Sequence, residues 1–145
     1  MSLRIRSMTE SDLGAARPLM RQLGYDLEPA EIRRRYQSVM TADDHVLLVG
    51  ELEGRLVGLI HVYARPALDK PPEAVVQALV VASNGRRGGI GKAMMASAES
   101  WARARGFHSV ALASQIARDD AHAFYKALGY QIVATSHLLR KEIEN

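Results

Sequence analysis

The segment LVVASNGRRGGIGKAMM, from Leu79 to Met95, decides how this chain is to be read. An apolar run rich in β-branched residues enters a glycine-rich turn carrying Arg86 and Arg87. After the turn, Ile90, Met94, Ala98, Trp101 and Ala102 recur at helical spacing. Glycines at 88, 89 and 91 permit positive φ and close backbone approach. Successive amides of such a turn, and the positive end of the helix behind it, form a cradle for phosphate.

Two phosphate loops with fixed spacing fail here. A Walker A loop, Gly-x-x-x-x-Gly-Lys-Ser/Thr, aligned on Gly91-Lys92 puts Arg86 at its first glycine and Ala93 at the magnesium-binding hydroxyl. A dinucleotide fingerprint starting at Gly89-x-Gly91 needs a third glycine where Met94 stands. About twenty positions on, Ala111 occupies the place of the ribose-binding acid.

Outward from this segment the elements alternate. Leu3 to Met8 reads as a strand, and Thr9-Glu-Ser-Asp12 suits a helix cap. Leu13, Ala16, Met20 and Leu23 follow at helical spacing, with Pro18 expected to kink that helix or delay its start and Gly24 to end it. Pro29 opens a second helix whose Ile32, Tyr36 and Val39 share a face. His45 to Tyr63 reads as two strands turned at Glu53-Gly54. A proline-rich loop, Ala64 to Glu73, precedes the strand that feeds the glycine turn. Gly106 ends the next helix, SVALAS reads as a buried strand, and Asp119 or Asp120 caps a helix from Ala121 to Leu128. QIVATSHLL reads as terminal strand structure. The pattern is α/β with at least one parallel crossover, in a single domain spanning 1–145.

Composition narrows the chemistry. The 145 residues are 48% hydrophobic, enough for one substantial core, and a formal charge of only +3 argues against bulk nucleic-acid binding. With no cysteine, disulfides, thiolate metal sites and cysteine nucleophiles are excluded. No apolar run approaches the roughly 18 residues of a membrane span, and MSLRIRSMTESD has no apolar signal core. A soluble cytoplasmic protein without membrane partners is expected.

What does fit is Arg86-x-x-Gly89-x-Gly91 directly after Leu79-Val-Val81. This resembles the acyl-CoA signature of the GCN5-related N-acetyltransferase (GNAT) superfamily. Ala121-His-Ala-Phe124-Tyr125-Lys-Ala-Leu128-Gly129-Tyr130 is similar to that family's A-x-x-F-Y-x-x-L-G-F/Y segment, one helix and one strand downstream. The IRSMTESDL start, two helices and the GELEGRLVG hairpin match its layout, so the likeness covers essentially the whole chain.

The resemblance implies a mixed, mostly antiparallel sheet with a central splayed parallel strand pair, flanked by about four helices. It implies acetyl-CoA as co-substrate, no metal, and a primary amine of a small molecule or peptide as acceptor. In such a site the backbone of Leu79, Val80 and Val81 holds the pantetheine arm like an added strand. Arg86, Arg87, Gly88, Gly89, Ile90, Gly91 and Lys92 receive the phosphates. The Leu79 N–H stabilises the oxyanion, and Tyr125 gives a proton to the departing thiolate. Members often dimerise, which makes a homodimer one option.

Two positions depart from the family pattern. Gln77 stands where many members carry a glutamate base, which leaves Glu73 as the nearest carboxylate, with His61, Asp26 and a water chain as alternatives. Arg118 replaces an asparagine that helps hold the pantetheine, and is expected on the cofactor side or facing solvent. Asp26, Glu28, Asp69 and Glu73 give the candidate acceptor loops an acidic character suited to a cationic amine. Two other readings stay open: a non-catalytic acyl-CoA-binding module, and a basic nucleic-acid or protein interaction domain that uses Asn84 to Gly89.

Overall fold

The computed structural model describes residues 2–83, 88–114 and 119–144. They cluster into two compact units, Met1–Ala113 and Ser114–Asn145. The first contains, in chain order, β1 (Arg4–Ser7), α1 (Leu13–Leu23), α2 (Pro29–Thr41), β2 (His45–Leu52), β3 (Arg55–Arg65), β4 (Glu73–Val81), α3 (Ile90–Ala104) and β5 (Val110–Leu112). The second contains α4 (Asp119–Ala127).

The strands form one sheet in the order β1-β2-β3-β4-β5. The first three pairings are antiparallel and the β4–β5 pairing is parallel. This is the mixed, mostly antiparallel sheet that the sequence led us to expect, with the parallel pair formed across the α3 crossover. The strand structure expected at Gln131–Leu139 is not there: no strand is assigned from 130 to 144, and Ile132, Val133, Leu138 and Leu139 are exposed. The apolar, β-branched cluster Ile132-Val133 marks a potential strand, but a strand needs a partner edge to satisfy its amides. Among the described residues β5 is therefore the last strand. It is also shorter and less buried than SVALAS implied, since Val110, Ala111 and Leu112 are all half-buried.

Paired residues of antiparallel strands share a face, so the register sorts the core into two layers. Val49, Leu59 and Val80 lie in one row and pack with Leu13, Ala16 and Leu19 of α1 and Ile32 of α2. On the opposite face Ile60 and Val62 lie under Met94, Met95 and Ala98 of α3, and all five are essentially inaccessible. The facing glycines Gly50 and Gly58 make room for α3. A Cβ on Gly50 would meet Met94 Sδ at 3.1 Å, and one on Gly58 would meet Ile90 Cγ2 at 3.4 Å.

Local signals act where the sequence put them. Glu53 and Gly54 both take positive φ, at 52° and 77°, giving the tight turn between β2 and β3. Helices α1, α3 and α4 each stop at a left-handed glycine, Gly24, Gly106 and Gly129. In each, the glycine N–H and the next residue's N–H bond back to the last-turn carbonyls. The assigned helix α1 runs through Pro18. A short 3-10 turn, Glu10–Asp12, leads into it. There the Asp12 carboxylate accepts from the Thr9 N–H at 2.7 Å and from both Arg6 terminal nitrogens at 2.8 and 2.9 Å. Among the described residues, no helix is long and apolar enough to cross a membrane.

Candidate active site

The site is built around β4, and its decisive feature is an irregularity. On the β3 side, Val62 pairs with Val76 but His61 pairs with Ala78, so Gln77 is an extra, bulged residue. On the other side, the parallel ladder with β5 runs only from Ala74–Val110 to Val76–Leu112. From Gln77 to Val81 no described strand lies beside β4 on that side.

The bulge also fixes which backbone groups face the gap. The Ala74 N–H donates to Ser109 C=O at 3.2 Å, toward β5, whereas the Ala82 N–H donates to Val57 C=O at 2.8 Å, toward β3. Strand alternation then turns Val80 toward β3 and turns the N–H and C=O of Leu79 and Val81 toward the open edge. The Val81 carbonyl accepts from Gln22 Nε2 of α1 at 2.6 Å, and the Ser83 N–H donates to Gln22 Oε1 at 3.0 Å. One side-chain amide thus grips the chain on both sides of Ala82, where it leaves the sheet. Sequence reasoning missed this contact, which joins residues 59 and 61 positions apart.

Past the turn, Gly88 and Gly89 are exposed, and Gly89 has φ 77°. A Cβ there would meet nothing within 4 Å, so the backbone conformation alone demands glycine. The first intrahelical bond of α3 runs from the Ala93 N–H to the Gly89 C=O at 3.0 Å. The N–H groups of Ile90, Gly91 and Lys92 precede it and have no helical carbonyl to bond. Ile90 and Gly91 are buried and Lys92 is exposed. Arg86, Arg87 and Arg118 lie outside the described residues.

The face of the sheet that carries α1 and α2 is closed at the Leu59–Val80 row, where each residue is 5% exposed. One row further Leu47 is still buried in the same core, and the face opens only toward β4, where its row partners His61 and Ala78 are half-buried and Gln77 is exposed. His61 Nε2 lies 2.9 Å from His45 Nδ1. His45 in turn stacks on Tyr63, with ring centroids 5.1 Å apart and planes 14° from parallel. Burial, with the neighbouring His45 charge as a smaller cause, pushes the His61 imidazole down to about 4. At neutral pH it is uncharged.

Glu73 stands at the start of β4. Its carboxylate pairs with Arg65 on β3 and accepts from Ser109 Oγ at 3.0 Å. Six strand positions separate it from Leu79, on the order of 17–20 Å at about 3.3 Å each. Asp26 is exposed after α1 and pairs with Arg21 at 3.4 Å. In the second unit, Tyr125 is half-buried on α4, with its ring edge-on to Phe124 at 5.0 Å and to Tyr130 at 6.0 Å.

Comparison with known proteins places the fold and the family. The chain is 28% identical over 127 residues to the uncharacterized N-acetyltransferase YhdJ of Bacillus subtilis, covering 87% of this chain and 88% of that one. It is 26% identical over 131 residues to an aminoglycoside N(6')-acetyltransferase type 1 of Stenotrophomonas maltophilia, covering 88% and 85%. The solved structure of AAC(6')-Iy in complex with the bisubstrate analogue CoA-S-monomethyl-acetylneamine has the same fold. Its TM-score is 0.87 at 19% identity, over 99% of this chain and 100% of that one. The family model described as acetyltransferase (GNAT) family matches residues 9–130, and with the edge of β4 released beside β5 and a glycine-headed α3 behind it, the chain belongs to the GNAT family of acetyltransferases.

Proposed function

We propose that this protein transfers the acetyl group of acetyl-CoA to a primary amine of a small molecule or peptide by direct attack, with no acyl-enzyme intermediate. The observation that carries this reading is the edge of β4 from Gln77 to Val81, unpaired by any described strand and followed by the Gly89 turn and the start of α3. An extended amide chain such as pantetheine satisfies the Leu79 and Val81 backbone as an added strand would. The N–H groups of Ile90, Gly91 and Lys92, with Gly88 and Gly89 ahead of them, suit a pyrophosphate, and Arg86, Arg87 and Arg118 supply countercharge.

In the reaction the Leu79 N–H donates to the carbonyl oxygen as it becomes an oxyanion. That bond strengthens with the developing charge, which makes it catalytic rather than merely binding. The amine nitrogen bonds to the acyl carbon, the C–S bond breaks, and the Tyr125 hydroxyl protonates the thiolate. Glu73, tied to Arg65 and remote from Leu79 along β4, serves in this reading to hold Arg65 and Ser109 at the β4–β5 junction rather than to take the amine's proton. Glu28 at the head of α2, beside Asp26 with its Arg21 partner, gives the acceptor side in this reading a modest negative bias. That bias suits the polycationic amine class named for the aminoglycoside-acetylating relative.

The test is thiol release from acetyl-CoA across a panel of polyamines, aminoglycosides and lysine peptides. Amine-dependent release is expected. A thermal shift with acetyl-CoA but no release with any amine would instead make the chain a non-catalytic acyl-CoA-binding module.

A further inference from the structure

We propose that His61 and His45 form a two-imidazole proton relay serving the amine: His61 accepts the proton that the nitrogen sheds as it bonds to the acyl carbon, and His45 passes it to water. The inference rests on the acetyl-transfer reading and supplies the proton acceptor that Gln77 cannot be.

The approach of the amine follows from which face of the sheet is closed. One face at this level is filled by α3, with Ile60 and Met94 both 0% exposed. The other is sealed at Leu59 and Val80, and at Leu47 in the next row, but is open where His61 and Ala78 continue that row toward the edge of β4. An amine reaching a carbonyl held at the Leu79 N–H therefore comes over that row. Cross-strand partners have Cβ atoms about 5 Å apart, so the His61 ring stands beside the residue that precedes Leu79. No other half-buried side chain in the row carries a polar atom.

The direction of the relay is set by hydrogen-bond logic. Nε2 of His61 and Nδ1 of His45 are 2.9 Å apart and share one proton. When His61 carries it, His61 Nδ1 is left as an acceptor toward the open row. Receipt of a proton at His61 Nδ1 drives the Nε2 proton to His45 Nδ1, and His45 Nε2 releases its own to solvent. The net charge moves outward while neither ring rotates. Tyr63 stacks on His45 and fixes its plane. The titratable groups around His61 are His45 from β2 and Tyr63 on β3. On the same face, two rows away, Arg65 and Glu73 pair with each other; Asp44, ahead of β2, is turned to Arg105 at the end of α3. Since burial keeps His61 neutral at pH 7, an entering ammonium meets an acceptor instead of a like charge.

The protons balance. A cationic amine loses one proton to solvent before attack and a second from nitrogen as the tetrahedral intermediate forms, when the attached carbon has made the N–H far more acidic. His61 takes that second proton, and Tyr125 returns one to the thiolate. The products are the amide, free coenzyme A and one net proton.

The experiment compares the parent, His61→Gln, His61→Ala and His45→Gln in thiol release, using the best amine of the panel and following kcat and KM from pH 5 to 9. His61→Gln should lower kcat about 100-fold or more with the KM for acetyl-CoA unchanged. His45→Gln should lose about 10-fold, and added imidazole should restore part of the activity of His61→Ala. Full kcat and an unchanged pH profile in His61→Gln overturn the relay, as does a loss matched by weaker acetyl-CoA binding. A parent protein that binds acetyl-CoA yet acetylates no amine sinks the acetyl-transfer reading and the relay with it, a result distinct from an active parent with indifferent histidines.

Discussion

Gln22 offers a direct probe of how the sheet hands over to the turn proposed to hold the cofactor. Its amide donates to the Val81 carbonyl at 2.6 Å and accepts from the Ser83 N–H at 3.0 Å, fixing the residues that precede the turn. Both bonds are solvent-exposed, so each contributes at the low end of the usual range, about 0.5 kcal/mol, or about 1 kcal/mol together. Removing them in Gln22→Ala should lower the urea midpoint by no more than a loss of about 1 kcal/mol allows. If the bound cofactor must then order the 81–83 segment itself, that same 1 kcal/mol appears as about a five-fold rise in the Kd and KM for acetyl-CoA, with kcat unchanged. Gln22→Glu is the sharper variant. It keeps the acceptor for Ser83, loses the donor to Val81 and adds a negative charge beside the phosphate turn. It should weaken binding further, and the excess loss should shrink at high salt. Calorimetric titration with acetyl-CoA reads both. A KM within two-fold of the parent in Gln22→Ala would refute the reasoning, and a fall in KM would mean that Gln22 competes with the cofactor for the Val81 carbonyl.

Three further outcomes follow from single residues. Tyr125→Phe should lower kcat at least 100-fold at little cost in acetyl-CoA KM, and full turnover with an unchanged pH profile would remove Tyr125 from the mechanism. Met94→Ala, at a site 0% exposed between Gly50, Gly58 and Ile90, should cost about 2–5 kcal/mol, seen as a lower urea midpoint at constant m. The Asp12 carboxyl is held down at about 2, chiefly by the hydrogen bonds from Arg6 and against the opposing effect of burial. Its stabilisation is complete above about pH 4 and is lost as the pH falls through 2, on the order of 2 kcal/mol. Asp12→Asn should therefore flatten the acid limb of the stability curve, and an unchanged limb would show that the pairing contributes nothing.

The architecture was legible because it is written in local chemistry. Gly24, Gly106 and Gly129 stop three helices, Glu53-Gly54 turns the hairpin, and Pro29 opens α2, each acting through its own backbone preference. The Gly89 position in the acyl-CoA signature was readable for the same reason. The C-terminal segment was misread because apolar, β-branched residues such as Ile132 and Val133 report only what a strand would bury and cannot specify a partner edge.

By itself, then, the sequence determined the order of elements through α4, the helix stops, the family and the glycine turn that heads α3. Tertiary pairing alone decided the rest, through two single-residue insertions. Gln77 bulges from β4 and turns Leu79 and Val81, rather than Ala78 and Val80, toward the open edge. Val57 is skipped where Gly50 pairs with Gly58 and Glu51 with Leu56. Without that slip the turn register would pair His61 with Val46 and leave His45 on the opposite face. With it, His45 and His61 share a face and meet at 2.9 Å. The side-chain period of a strand is two, so one extra residue inverts everything beyond it. Whether a strand accommodates that residue depends on its neighbours across the sheet and on the helices pressed against it.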